Sequence, residues 1–81
     1  MREYLSSFME DAIFWDGFDE AIIGHAERCG LSVVLYDANK CIEILMQDGM
    51  EEEEALEYFD YNILNAYVGK NTPLIAYLGK Y

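Results

Sequence analysis

His25 and Cys29 stand four residues apart, a spacing that puts two side chains on one face of a helix, where with Cys41 or a carboxylate they would form part of a zinc site. Zinc requires more than this pair offers: the chain has no Cys-x-x-Cys and no second His. The expectation is no metal and no cofactor, with His25 packed in the interior. Asp16, Asp19 and Glu20 cluster ahead of a helical pattern, but the alternating acids and closing Glu of a calcium loop are missing, so helix capping is the simpler account. For nucleophilic or acid-base catalysis the single His lacks both a nucleophile and an orienting partner. Gly69-Lys70-Asn71-Thr72 lacks the upstream glycine of a phosphate-binding loop. No catalytic residue is assigned, and the chain is expected not to be an enzyme.

The elements that must carry any surviving function are bounded by the totals. A chain of 81 residues supports one hydrophobic core, hence a single domain over residues 1–81. A hydrophobic share of 53%, with seven Tyr, four Phe and one Trp, is enough to fold despite a net charge of −11. Sixteen acids against five bases repel phosphate backbones and anionic lipid alike, because nucleic-acid affinity comes from Lys and Arg displacing counterions. A charged partner should therefore be basic; the plainer reading of the acidity is that it keeps a small apolar-rich chain in solution. No apolar run approaches the roughly 20 residues of a membrane span, and Met1-Arg2-Glu3-Tyr4 lacks the apolar middle of a signal peptide. A reducing cytoplasm is the expected setting, where Cys29 and Cys41 would be buried free thiols.

Periodicity predicts six elements. Leu5, Phe8, Met9, Ala12 and Ile13 recur at helical steps over residues 2–14, and Phe18, Ala21, Ile22, His25, Ala26 and Cys29 do so over residues 18–29. Val33, Val34, Leu35 and Tyr36 read as a strand over residues 31–36, and Asp37 suits the N-cap of a third helix over residues 38–47. A fourth helix over residues 51–68 buries Ala55, Leu56, Phe59, Ile63 and Ala66, with Glu51 to Glu54 at the positive end of its dipole. Residues 74–78 read as a second strand. Two antiparallel helices between the strands would leave them running in opposite directions. The expected fold is α+β in the order ααβααβ, with four helices against a two-stranded antiparallel sheet built around the helical hairpin of residues 36–69.

Two surfaces stand out on the fourth helix. Glu53, Glu54, Glu57 and Asp60 with Tyr58 and Tyr61 form an outward arc that could present charge to a groove made for nucleic-acid phosphates, with Tyr supplying contact area at low entropic cost. Tyr61, Leu64 and Val68 form an apolar stripe on roughly the opposite side from the core, a candidate self-contact for a homodimer. A DNA-reading helix-turn-helix is not expected, since residues 51–68 hold no base.

The run from Asp16-Gly17-Phe18-Asp19-Glu20-Ala21-Ile22-Ile23-Gly24 through Ala26-Glu27-Arg28-Cys29-Gly30, Tyr36-Asp37, Cys41-Ile42-Glu43-Ile44-Leu45-Met46 and Asp48-Gly49-Met50 resembles a set of short acidic proteins encoded by bacteriophages. The resemblance covers residues 16–73, with His25 standing where the set favours an apolar residue. That set has no assigned activity, so no residue role follows. The resemblance implies a bacterial host cytoplasm during infection, where small acidic phage proteins commonly bind and inhibit host machinery. Together these readings describe an accessory protein that binds and inhibits a host or phage protein through the acidic Tyr-bearing surface. The alternative is an assembly module that oligomerises through Tyr61, Leu64 and Val68.

Overall fold

The computed structural model describes residues 1–79. Its centre is the strand β2 (Leu31–Asp37), which pairs antiparallel with β1 (Ile22–Arg28) on one side and parallel with β3 (Leu74–Ala76) on the other. Three α-helices complete the described residues: a short α1 (Arg2–Ser6), α2 (Ala38–Gln47) and α3 (Glu52–Phe59). The fold is α+β, but three helices with a three-stranded mixed sheet replace the expected four helices and two antiparallel strands.

The largest correction is at residues 18–29, where a strand takes the place of the expected second helix. Only Asp19–Ala21 is helical, as one 3-10 turn. Along β1, burial alternates at every residue, so that Ile22, Gly24, Ala26 and Arg28 are more covered than Ile23, His25 and Glu27. The i, i+4 pairs that suggested a helix fit a period of two as well. What decides the outcome is Cys29-Gly30: both residues have positive φ, 53° and 81°, the backbone of a tight two-residue hairpin turn whose twist matches that of the flanking strands. Gly24, with φ of 148°, takes up a register shift opposite Tyr36 and Leu35 and so acts as a bulge rather than a helix contact. Accordingly, His25 and Cys29 are exposed, not interior, while Cys41 is buried as expected.

Other expectations held closely. α2 spans residues 38–47 with Asp37 as N-cap, its carboxylate accepting from the Asn39 N–H at 3.0 Å. Cys41, Ile42 and Leu45 point inward. They meet Val34 and Tyr36 of β2, Ile22 of β1, Leu5, Met9 and Ala21 from the N-terminal part, and Ala55, Phe59 and Ile63 from the segment after α2. Val33, on the opposite face of β2, is also buried.

The first helix ends at Ser6 instead of residue 14, yet Leu5 and Met9 are still buried and Phe8 is not. The irregular stretch behind it is held from the sheet side. Trp15 stacks on Tyr36 at 5.0 Å between ring centroids, and its backbone N–H donates to the Tyr36 hydroxyl at 2.8 Å. Arg2 reaches across to Asp19 at 3.0 Å and Asp16 at 3.7 Å and lies over the Phe14 ring, so these acids pair with a cation rather than cap the expected helix.

The fourth predicted helix also shortens. α3 covers Glu52–Phe59, and Asp60–Leu64 continues as a single wide π turn. Two asparagines explain the change: the Asn62 amide donates to the Tyr58 carbonyl at 3.2 Å, and the Asn65 amide donates to the Asp60 carbonyl at 2.7 Å. Side chains that hydrogen-bond carbonyls within the turn compete with the regular helical ladder. Residues 65–73 then run without regular structure, fixed by buried Thr72, whose Oγ1 donates to the Gly69 carbonyl at 2.6 Å and accepts from the Val68 N–H at 2.9 Å. These nine residues can span up to about 30 Å, enough to carry the chain back to the starting end of β2. For that reason β3 enters parallel, with Leu74 beside Leu35, and the expected antiparallel pairing is not formed. The strand ends at Ala76 rather than residue 78.

Two outcomes are expected. Burial, together with the Asp37 carboxylate, pushes the Cys41 thiol from its ordinary 9.0 up to about 12, and burial raises the Tyr36 phenol as well. Both groups hold their protons more tightly folded than unfolded, so their contribution is intact below pH 9.0 and is lost as pH climbs toward about 12. Urea midpoints should be flat from pH 7 to 8 and fall above pH 9, and a thiol reagent at pH 8 should label Cys29 alone until the chain is denatured; equal labelling of both cysteines in the native state would contradict the core placement. Replacing Cys29 by Asn, which accepts positive φ more readily, should raise stability by about 0.5 to 1 kcal/mol in thermal melts. A lower melting temperature would argue against the two-residue turn.

Candidate functional site

α3 buries Ala55 and Phe59 and leaves the remainder of its surface open. Its N-cap is Glu51, whose N–H donates to the Glu54 carboxylate at 3.4 Å, and its first turn carries Glu52, Glu53 and Glu54, where the helix dipole favours negative charge. Glu53, Glu54, Glu57 and Asp60 are all exposed, as are Tyr58 and Tyr61, the latter at 77%.

These six residues do not act as one patch. Glu54, Glu57, Tyr58 and Tyr61 follow the i, i+3, i+4, i+7 steps of a single helical stripe and, with Met50, line a shallow groove of about 280 Å³. Glu53 and Asp60 lie outside its lining, on the adjoining acidic row. The groove thus offers two phenol rings and a thioether beside two carboxylates. Such a combination suits a guanidinium or ammonium group, which can lie over an aromatic face while pairing with a carboxylate. Met50 carries no helical signal in the sequence, because it sits in the turn before α3.

The apolar stripe is uncovered as well. Tyr61, Leu64 and Val68 are 77%, 40% and 55% exposed. Tyr61 and Leu64 lie within the π turn and Val68 in the irregular segment after it, so the stripe is not carried on one continuous helix.

The residues with metal-ligand character in the sequence are not brought together. His25 lies within β1 and Cys29 in the turn beyond its end, so the two no longer share the helix face that their spacing suggested. Among the described residues no group of three or more His, Cys, Asp or Glu side chains is placed to hold a metal ion. His25 instead meets the edge of Phe8 at 5.2 Å, and Phe8 meets Tyr4 at 5.3 Å, making a row of exposed rings along the outer side of β1.

A second concavity, unforeseen from sequence, lies at the hairpin end of the sheet. Arg28 shares a face of β1 with Ala26, and one guanidinium nitrogen donates to the backbone carbonyls of Lys70 at 2.8 Å and Thr72 at 3.0 Å. This clamps the irregular segment of residues 65–73 to the hairpin. Arg28, Cys29, Leu31, Tyr67 and Lys70 enclose a cleft of about 230 Å³, and a neighbouring hollow of about 410 Å³ shares Arg28 and Tyr67. The Cys29-Gly30 turn is the sequence feature that brings Arg28 to this end of the sheet.

Among the described residues no helix is long and apolar enough to cross a membrane. Compared with known proteins, the chain matches no family model, no curated protein and no solved structure.

Proposed function

We propose that this chain is a non-enzymatic accessory protein that binds a basic partner protein through the exposed surface of α3, with Glu54, Glu57, Tyr58 and Tyr61 forming the groove and Glu53 and Asp60 extending its charge. The observation that carries this reading is the groove itself, which sets open aromatic faces next to carboxylates on a helix anchored by Ala55 and Phe59. A partner surface built to hold phosphates would find there a rigid row of negative charge, and binding would occlude its nucleic-acid site. The phage resemblance supplies the setting, a bacterial host cytoplasm, and the sense of the effect, inhibition of a host or phage protein.

Self-association through Tyr61, Leu64 and Val68 is the second reading, favoured by the exposure of all three. Charge weighs against it as the main role. Two copies at −11 each repel, and the acids of α3 stand next to the stripe. A basic partner turns the same charge into attraction.

The two readings separate by salt. Capture of a partner from bacterial lysate should weaken steeply between about 50 mM and 500 mM salt, because the Debye length falls from about 14 Å to about 4 Å over that range. It should be lost when Glu53, Glu54 and Glu57 are changed to Gln and Asp60 to Asn. Recovery of the same partner by that variant would remove the acidic-surface reading. A dimer that persists in sedimentation at high salt and dissociates on Leu64→Lys would establish the second.

A further inference from the structure

The cleft at the hairpin end has a charge opposite to that of the molecule. Of the five basic residues, Arg2 pairs with Asp16 and Asp19, and Lys40 pairs with Glu43. Lys80 lies outside the described residues. The remaining two, Arg28 and Lys70, have no carboxylate within ion-pair distance among the described residues, although the chain carries sixteen acids. Both line the same cleft.

Its construction is rigid. The bonds from Arg28 to the carbonyls of Lys70 and Thr72 use one terminal nitrogen, which fixes the guanidinium plane and leaves the other N–H groups available. Thr72 in turn locks the turn that carries Lys70. Tyr67, 75% exposed, stands between this cleft and the neighbouring hollow, with its ring available for stacking, and Leu31 adds an apolar wall. Glu27, the acid adjacent in sequence, projects to the opposite face of β1.

The geometry points to a binding site for a small phosphate monoester carried on a planar ring, of which a mononucleotide is the natural representative. The phosphate sits between Arg28, whose remaining Nε and Nη1 N–H groups donate singly because Nη2 is already engaged, and the point charge of Lys70, and the ring stacks on Tyr67. The global charge does not forbid this. At physiological salt the field of distant carboxylates is screened within about 8 Å, so a ligand confined to the cleft meets chiefly its two cations. A polymer would extend past the cleft onto the acidic surface, so a free nucleotide is favoured over nucleic acid. This site is independent of the α3 surface and stands or falls separately from it.

The test is a titration of the full chain with AMP, adenosine and inorganic phosphate, followed by amide NMR shifts and by the rate of Cys29 alkylation with iodoacetamide. AMP should shift amides around residues 28–31 and 65–72 and slow alkylation, with affinity about tenfold or more above either fragment. Lys70→Gln, which alters an exposed side chain outside the fold's bonding, should weaken AMP about three- to tenfold, as should Tyr67→Ala. An unshifted spectrum at about 10 mM AMP would overturn the site. So would equal affinity for AMP and adenosine, undiminished binding by both variants, or tighter binding of an oligonucleotide than of AMP.

Discussion

A buried phenol on the central strand is the constraint on which the rest of the molecule depends. Tyr36 is fully covered, and its hydroxyl must find a partner inside the protein or leave an unsatisfied polar atom there. Trp15 supplies both the N–H that meets it and the indole that stacks on its ring. The contact joins residues far apart in sequence and gives the irregular N-terminal stretch a fixed place against the sheet. Cys41 and Ile42 of α2 belong to the same core, so one strand residue stands among the N-terminal segment, the sheet and the helices.

This arrangement separates scaffold from surface. Large side chains that are fully covered lie mostly on β2 and α2, whereas the acids of α3 stand on a helix held by only two buried residues of its own. Substitutions along α3's outer arc therefore change charge and contact without entering the core. The hairpin end is organised differently: there a cation serves as a structural fastener, because Arg28 bonds to the carbonyls of a segment that has no ladder of its own.

Sequence pattern was a good guide where local and tertiary preferences agreed. β2 and α2 were legible because a β-branched run, a capping Asp and a helical stripe all pointed the same way. Residues 18–29 misled, since Ala21, Ile22, His25 and Cys29 satisfy helical spacing while hydrogen bonding to β2 imposes the alternation of a strand. The discriminating signal was a turn, Cys29-Gly30, whose first position is occupied by a residue uncommon at positive φ. The parallel course of β3 was hidden for a related reason: it depends on where α3 stops, and α3 stops where Asn62 and Asn65 bond to nearby carbonyls. The exposure of Glu54, Glu57, Tyr58 and Tyr61 follows from helix phase, but the exclusion of Glu53 and Asp60 from their groove and the part of Met50 in it do not. The basic cleft could not, for it arises only when the hairpin and a distant loop are brought side by side.

The mixed sheet also sets an order of assembly. β1 and β2 close through two residues and can pair on the timescale of an isolated hairpin, whereas β3 must wait for everything between Asp37 and Leu74 to be in place. With three residues paired along one edge, β3 is the part of the sheet with least to hold it, and its release would free the segment that Arg28 fastens. A molecule bridging Arg28 and Lys70 would thus act as an external rivet between the earliest and latest pieces to assemble, and occupancy of that notch would be felt as slower fraying of the last strand.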